Sequence, residues 1–295
     1  MSARAPADAK TVGSLAGWAR TVLWDAGIEN AVQEAQWLLA QALGLRSHEL
    51  ATGAERPLSS AEWSRARSLI ARRAAREPLQ YLLGMQEFCG LDFQVTPAVL
   101  IPRLETELLV QEVIRLGTLR PGSIVVDVGT GSGCVAVTVA TILPDVRIVA
   151  VDRSPAALAV ARANAAKHGV ADKIEWLEGD LLAPLSEKGI GRVDVIVSNP
   201  PYIAEADWAG LQPEIRLFEP RMALVSGPQG TELHERLLRE AQPFLLAGGL
   251  LMMEAGQGQA SVVRRIAERA GGYGPLRTVE DAAGIERILI APRLG

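Results

Sequence analysis

The feature that most restricts this chain is an apolar, largely β-branched run that ends on two prolines. Val193-Asp194-Val195-Ile196-Val197-Ser198 is followed at once by Asn199-Pro200-Pro201-Tyr202. The run reads as a strand buried on both faces of a parallel sheet. Proline carries no N–H and pushes the preceding residue into extended backbone, so the strand must stop there. Asn199 is thereby placed at the carboxyl end of a central strand, where open α/β sheets bind their ligands. Its side chain offers both an acceptor oxygen and an NH2 donor. The Pro200 carbonyl is left over by helix and sheet alike, and Tyr202 adds a flat ring. Together they make a socket for a planar group bearing an NH2: an adenine, a cytosine or a carboxamide.

The rest of the chain supplies the sheet. From Pro121 onward, strands and helices alternate strictly, which predicts a doubly wound parallel sheet. Strands are expected at 123–128, 146–151, 173–177, 193–198 and 249–254. Two late strands, 276–279 and 287–291, leave no room for a helix between them, so that pair is expected to be antiparallel. Residues 12–76 instead carry helical periodicity. Leu15, Trp18, Ala19 and Val22 share one face, and Ala35, Leu38, Leu39 and Ala42 another. Ser59-Ser60-Ala61-Glu62 forms a capping box. Between the two regions, Glu87 to Val95 alternates and turns at Gly90 as a β-hairpin does.

Composition excludes several function classes. The net charge of -4 argues against a chain whose main task is gripping nucleic-acid phosphates. Residues 1–85 hold ten Arg/Lys against eight Asp/Glu, which leaves -6 to the remainder. Arg65, Arg72 and Arg76 are read as one helical stripe, either a solvated face or a docking surface for a macromolecule. Cys89 and Cys134 have no ligand spacing and suggest no disulfide framework. His48, His168 and His234 are scattered, so neither a metal cluster nor a general base is expected. Residues 1–11 read as a loose leader without an apolar segment, and no stretch approaches a membrane span, so a cytoplasmic protein is expected.

A second cluster lies between the first strand and its helix: Asp127-Val128-Gly129-Thr130-Gly131-Ser132-Gly133. Glycines let the backbone pass close to a ligand, and the helix amino end leaves N–H groups unpaired. A nicotinamide-binding loop would want its third glycine at 134, where Cys134 stands. The G-x-G-x-G spacing found here resembles that of S-adenosylmethionine-dependent methyltransferases. Asp152 ends the next strand, 23 residues after Gly129, where an acid can take a ribose diol. Asp180 closes the third strand, where such enzymes contact adenine.

Taken together, these segments resemble the protein-glutamine N5-methyltransferases of the PrmC/HemK type, which modify peptide chain release factors. The resemblance runs through Glu77-Pro78-Leu79-Gln80-Tyr81-Leu82-Leu83-Gly84, Phe88-x-Gly90-x-x-Phe93-x-Val95 and Leu100-Ile101-Pro102-Arg103-x-Glu105-Thr106-Glu107. It continues through the glycine loop, Asp152, Asn199-Pro200-Pro201-Tyr202-Ile203 and Phe218-Glu219-Pro220, then Glu254-x-Gly256-x-x-Gln259 and Asp281-x-x-Gly284-x-x-Arg287. The family's cofactor contacts would fall on Gly129, Thr130, Gly131, Ser132, Gly133, Asp152, Asp180, Leu181 and Asn199. Its catalytic socket would be Asn199, Pro200, Pro201 and Tyr202.

The implied fold is a Rossmann-like, mostly parallel seven-stranded sheet with an antiparallel last strand, plus an N-terminal helical bundle. The implied domains are a helical substrate-recognition domain over 1–80, a hairpin linker over 81–104 and a methyltransferase domain over 105–295. The implied substrate is the glutamine of the Gly-Gly-Gln motif in class I release factors, with S-adenosylmethionine as methyl donor. Neither a membrane nor direct nucleic-acid binding is expected, and the enzyme is expected to act as a monomer.

Two positions depart from the family pattern. Leu104 replaces the usual proline after Arg103, which is expected to loosen the backbone entering the next helix, and Ala255 replaces an isoleucine. Rival readings share the socket: N5-methylation of a glutamine in a large-subunit ribosomal protein, and amino-methylation of a flipped DNA base. The Pro78–Tyr81 segment and the tail favour a release factor. The acidic balance disfavours DNA, and the intact loop and socket disfavour a non-catalytic cofactor-binding scaffold.

Overall fold

The computed structural model describes residues 11–295, so the leader expected over 1–11 lies, apart from Thr11, outside the described residues. The chain forms two compact units. The first comprises the described chain through Gly84 together with Gln212–Phe218, a segment from much later in the sequence. The second comprises Met85–Leu211 and Glu219–Gly295, so the hairpin belongs to the α/β unit. No helix among the described residues is long and apolar enough to cross a membrane.

The first unit is helical: Val12–Asp25, Ala31–Leu43, Ser47–Thr52, Ser60–Ala74 and Leu79–Leu83. Ser59 caps the fourth helix by accepting from the Glu62 N–H while Glu62 returns to Ser59, as the sequence predicts. Gly44, in the left-handed region at φ 65°, stops the second helix. Leu15, Leu23, Leu38, Leu39 and Ile70 form its core.

The expected arginine stripe does not form as a set. The fourth helix ends at Ala74, and Arg76 lies beyond it at φ 72°. Arg65 donates to the Ala42 carbonyl at 3.1 Å, and Arg72 pairs with Glu77 at 2.7 Å. Arg76 donates to the Gly27 carbonyl at 3.0 Å and to Glu214 at 2.8 Å. Arg73, between them in sequence, is buried and pairs with both Glu34 and Glu214. Glu214 stands on the helix Pro213–Phe218, and these pairs are what attach that segment to the bundle.

The α/β unit opens with the hairpin β1 (Met85–Phe88) and β2 (Leu91–Gln94). Its turn residues, Cys89 and Gly90, both have positive φ, the requirement of a two-residue hairpin turn. Then come β3 (Ile124–Val128), β4 (Arg147–Asp152), β5 (Ile174–Glu178) and β6 (Val193–Ser198). A short parallel pair follows, β7 (Ile203–Ala204) and β8 (Val225–Gly227). The chain closes with β9 (Leu245–Glu254), β10 (Arg277–Glu280) and β11 (Glu286–Pro292).

The main sheet has seven strands in the order β10-β11-β9-β6-β3-β4-β5. The five from β9 to β5 are parallel, and β11 runs antiparallel to both its neighbours. Only Asp281–Ile285 joins β10 to β11, and the Asp281 carboxylate closes that turn by accepting from the Ala283 and Ile285 N–H groups. The sheet is apolar on both faces. Within β6, Val195 and Val197 enter one core cluster, while Val193 and Ile196 enter the other. The chain runs from β3 outward to β4, then returns to place β6 on the other side of β3. This reversal opens a crevice at the carboxyl ends of β3 and β6.

One buried amide joins the hairpin to that crevice. Asn164, on the helix Pro155–Lys167, is fully buried. Its Oδ1 accepts from the Gln94 N–H at 2.7 Å, and its Nδ2 donates to the Gln94 carbonyl at 3.0 Å and the Ser132 carbonyl at 2.9 Å. Asn164→Ala would take the partner from all three backbone groups, the buried Ser132 carbonyl among them. We expect the variant to lose about 3 kcal/mol of stability, read as a lower urea midpoint at unchanged slope.

Candidate active site

At the end of β3, Gly129, Gly131 and Gly133 all take positive φ, at 75°, 56° and 80°. The loop needs glycine sterically as well, since a Cβ on Gly133 would meet that of Ala161 at 3.0 Å. The Gly129 and Thr130 N–H groups donate to the Val151 carbonyl at 2.8 and 3.0 Å, which holds the loop against the end of β4. Behind it, Asp127 accepts from Thr130 Oγ1 at 2.6 Å and from the Ala136 N–H at 3.2 Å. Burial pushes the Asp127 carboxyl up to about 6.

Asp152 ends β4 with both oxygens engaged. Oδ2 accepts from the Gly131 N–H and Oδ1 from the Ser154 N–H, each at 2.9 Å. Burial raises its carboxyl above the ordinary value. Asp180, past β5, pairs with Arg236 at 2.8 Å. Leu181 follows at φ 47°, an uncommon conformation for a bulky side chain and one that clusters at ligand sites.

A single cleft joins these groups. Gly129, Gly131, Asp152, Asp180, Leu181 and Asn199 all line it, with Pro201 at the socket end. Of the remaining expected cofactor residues, Thr130 and Ser132 are buried beneath the loop and Gly133 lies against Ala161. Ala98, Val99 and Leu100, just after the hairpin, and Arg236 also face the cleft. Sequence reasoning quoted Leu100 within a family motif but gave none of these residues a place in the cleft, and Arg236 could have been sought only as a partner for Asp180.

The socket sits at the end of β6. Asn199 is half-buried and Pro200 buried. Asn199 Nδ2 donates to Thr106 Oγ1 at 2.9 Å, and Thr106 donates to Glu254 Oε2 at 2.6 Å. Among the described residues no protein donor meets Asn199 Oδ1 or the Pro200 carbonyl. The Tyr202 carbonyl, by contrast, accepts from Gln259 Nε2 at 2.7 Å. A Cβ on Gly256 would meet the Tyr202 ring at 3.1 Å, so the glycine lets the ring pack closely. The Tyr202 hydroxyl donates to Glu254 Oε1 at 3.3 Å, which ties the ring into the wall of the socket.

Leu104 stands at the approach to this site. It is 77% exposed, yet Arg103 before it keeps φ −101° and ψ 148°, the extended backbone a following proline would impose. Glu219 holds that conformation by accepting from Arg103 at 2.5 Å and from the Ile101 N–H at 3.1 Å.

Comparison with known proteins decides the family. Residues 15–84 match the PrmC N-terminal domain and residues 104–212 the methyltransferase small domain. The chain is 45% identical over 285 residues to a release factor glutamine methyltransferase of Geobacter sulfurreducens, covering 97% of each chain. The chain belongs to the release factor glutamine methyltransferase family. A second member, from Moorella thermoacetica, is 43% identical over 267 residues, covering 90% of this chain and 93% of that one. A crystal structure of a methyltransferase from Pyrococcus furiosus shares the fold at a TM-score of 0.50 and 19% identity, covering 79% of this chain and 100% of that one.

The cleft of this methyltransferase suits the family's cofactor, S-adenosylmethionine. Asp152 could take a ribose diol, Asp180 the exocyclic amine of a base, and Leu181 an aromatic face. The glycines of the loop leave room for the backbone to approach the amino-acid end. When bound there, the cofactor supplies an electrophilic sulfonium methyl group.

Proposed function

We propose that this methyltransferase modifies the N5 amide nitrogen of the glutamine in the Gly-Gly-Gln motif of class I release factors. The observation that carries this reading is the pair of unclaimed acceptors at the socket, Asn199 Oδ1 and the Pro200 carbonyl. An amide NH2 brings two N–H donors and no basic lone pair, because its nitrogen is delocalised into the carbonyl. Two acceptors can hold both N–H bonds and fix the direction in which the nitrogen faces its target. Such alignment can be worth on the order of 7–11 kcal/mol of barrier at its limit. The same oxygens favour positive charge as it builds on nitrogen in the transition state. The product proton leaves to water.

Gly129, Gly131, Asp152, Asp180 and Leu181 hold the cofactor in this reading, with Thr130, Ser132 and Gly133 shaping the loop from behind. Pro201 and Tyr202 form the wall beside the amide. Both cysteines are free thiols, in keeping with a cytoplasmic site of action.

The test is methyl transfer from labelled S-adenosylmethionine to a purified class I release factor, beside a copy whose Gly-Gly-Gln glutamine is alanine. Label on the first alone is expected. Label on neither, with labelling of ribosomal protein or DNA under the same conditions, would move the substrate to one of those.

A further inference from the structure

Behind the socket, three side chains form a hydrogen-bonded series whose direction is fixed at one end. Glu254, at the end of β9, is 1% exposed, and Thr106 is 3% exposed. A hydroxyl has one proton to give. With that proton committed to the Glu254 carboxylate, Thr106 meets Asn199 only as an acceptor. It therefore takes the Asn199 NH2 and leaves Oδ1 as the atom available to a ligand.

We propose that Thr106 and Glu254 are positioning residues for methyl transfer, compelling Asn199 to present its oxygen rather than its NH2 to the substrate. The proposal rests on the reading above that the substrate is a primary amide. Turned over, Asn199 would set NH2 against NH2, and the socket would keep only the Pro200 carbonyl as acceptor. Neither residue touches the substrate; both act through Asn199.

The surroundings of Glu254 make this arrangement sensitive to pH. Burial pushes its carboxyl up to about 7, opposed by the hydrogen bonds from Thr106 and Tyr202. Glu105 raises it further, and Arg287, itself paired with Asp281, lowers it. His234 donates from Nε2 to the Glu254 backbone carbonyl at 2.8 Å, and burial shifts its imidazole below the ordinary value. Burial raises the Tyr202 hydroxyl, and the charges of Arg103 and Arg287 oppose that shift. Once protonated, Glu254 can donate to Thr106 or Tyr202, the direction is no longer imposed, and Asn199 is free to turn over. Activity therefore rises with pH as Glu254 ionises, with its midpoint near 7 rather than near a glutamate's ordinary 4.5.

Three variants test this. Thr106→Val removes the hydroxyl at constant shape, Thr106→Ser restores it, and Glu254→Gln keeps shape but introduces a competing NH2. The valine and glutamine variants are expected to lose kcat on the order of 100-fold, the scale of a misplaced reacting group, with cofactor affinity by calorimetry unchanged. The serine variant should stay close to the parent, and the acid limb near pH 7 should vanish in Glu254→Gln.

A second readout needs no methyl acceptor. In the free enzyme, the 15N–1H resonances of the Asn199 side-chain amide should titrate with the same midpoint, and cease to do so in Glu254→Gln. Wild-type kcat in the valine and glutamine variants, or an Asn199 amide indifferent to pH, would overturn the proposal. Failure of the parent enzyme to label any release factor would instead count against the substrate reading, and the amide titration would still decide the relay.

Discussion

Asn199→Ala is expected to lower kcat for release-factor methylation about 100–1,000-fold, with a far smaller change in cofactor affinity. The magnitude follows from what the substitution removes. Asn199 supplies one of two acceptors at the end of β6, and its loss leaves the substrate nitrogen held by the Pro200 carbonyl alone. One hydrogen bond cannot fix the direction of a planar NH2, so both alignment and charge stabilisation suffer in the transition state. The cofactor keeps Asp152, Asp180 and the glycine loop. Single-turnover methyl transfer beside calorimetric cofactor titration separates the two effects. A variant with parental kcat would remove Asn199 from the chemistry.

Asp152→Ala is expected to act on the other half of the site, weakening S-adenosylmethionine about 10–100-fold. Hydrogen bonds to a charged carboxylate are worth about 1.5–3 kcal/mol when the partner is lost, which converts to that range of Kd. The residue also holds the Gly131 and Ser154 N–H groups, so its removal frees the glycine loop as well as a ribose contact. Asp152→Asn keeps one acceptor oxygen and should fall between the two. In both variants kcat at saturating cofactor is expected to recover most of its parental value. A large fall in saturated kcat with unchanged Kd would place Asp152 in the chemistry instead.

Much of this site could be read in the sequence because its signals are local. A β-branched run stopped by two prolines, a glycine loop between strand and helix, and acids at strand ends each reveal themselves within a few residues. The antiparallel last pair was legible for the same reason, since the short link from Val279 to Arg287 admits no crossover helix. What escaped depends on partners distant in sequence. Asn164 looks like polar filler in an alanine-rich helix, and only the fold brings it to Gln94 and Ser132. Arg73 read as one arginine among several, yet its partners Glu34 and Glu214 lie 39 and 141 positions away.

Arg76 was misread for a different reason. Helical periodicity was carried past Ala74 into a residue with positive φ, which neither charge nor hydropathy marks. Leu104 shows the converse case. A missing proline suggested a looser backbone, but the Glu219 carboxylate, more than a hundred residues later, restores the same extended conformation. Thr106 and Glu254 were both visible as parts of motifs. Their coupling to Asn199 was not, because a hydrogen bond spanning 148 positions leaves no trace in spacing.

The most direct measurement is tandem mass spectrometry of a class I release factor after reaction with the enzyme and S-adenosylmethionine, reading fragment masses across the Gly-Gly-Gln segment. A single methyl group on the side-chain amide of that glutamine, absent when Asn199→Ala enzyme is used, is the predicted result. A methyl group on any other residue or on the backbone, or none on a release factor that the enzyme demonstrably binds, would contradict the assignment of the socket to a glutamine amide.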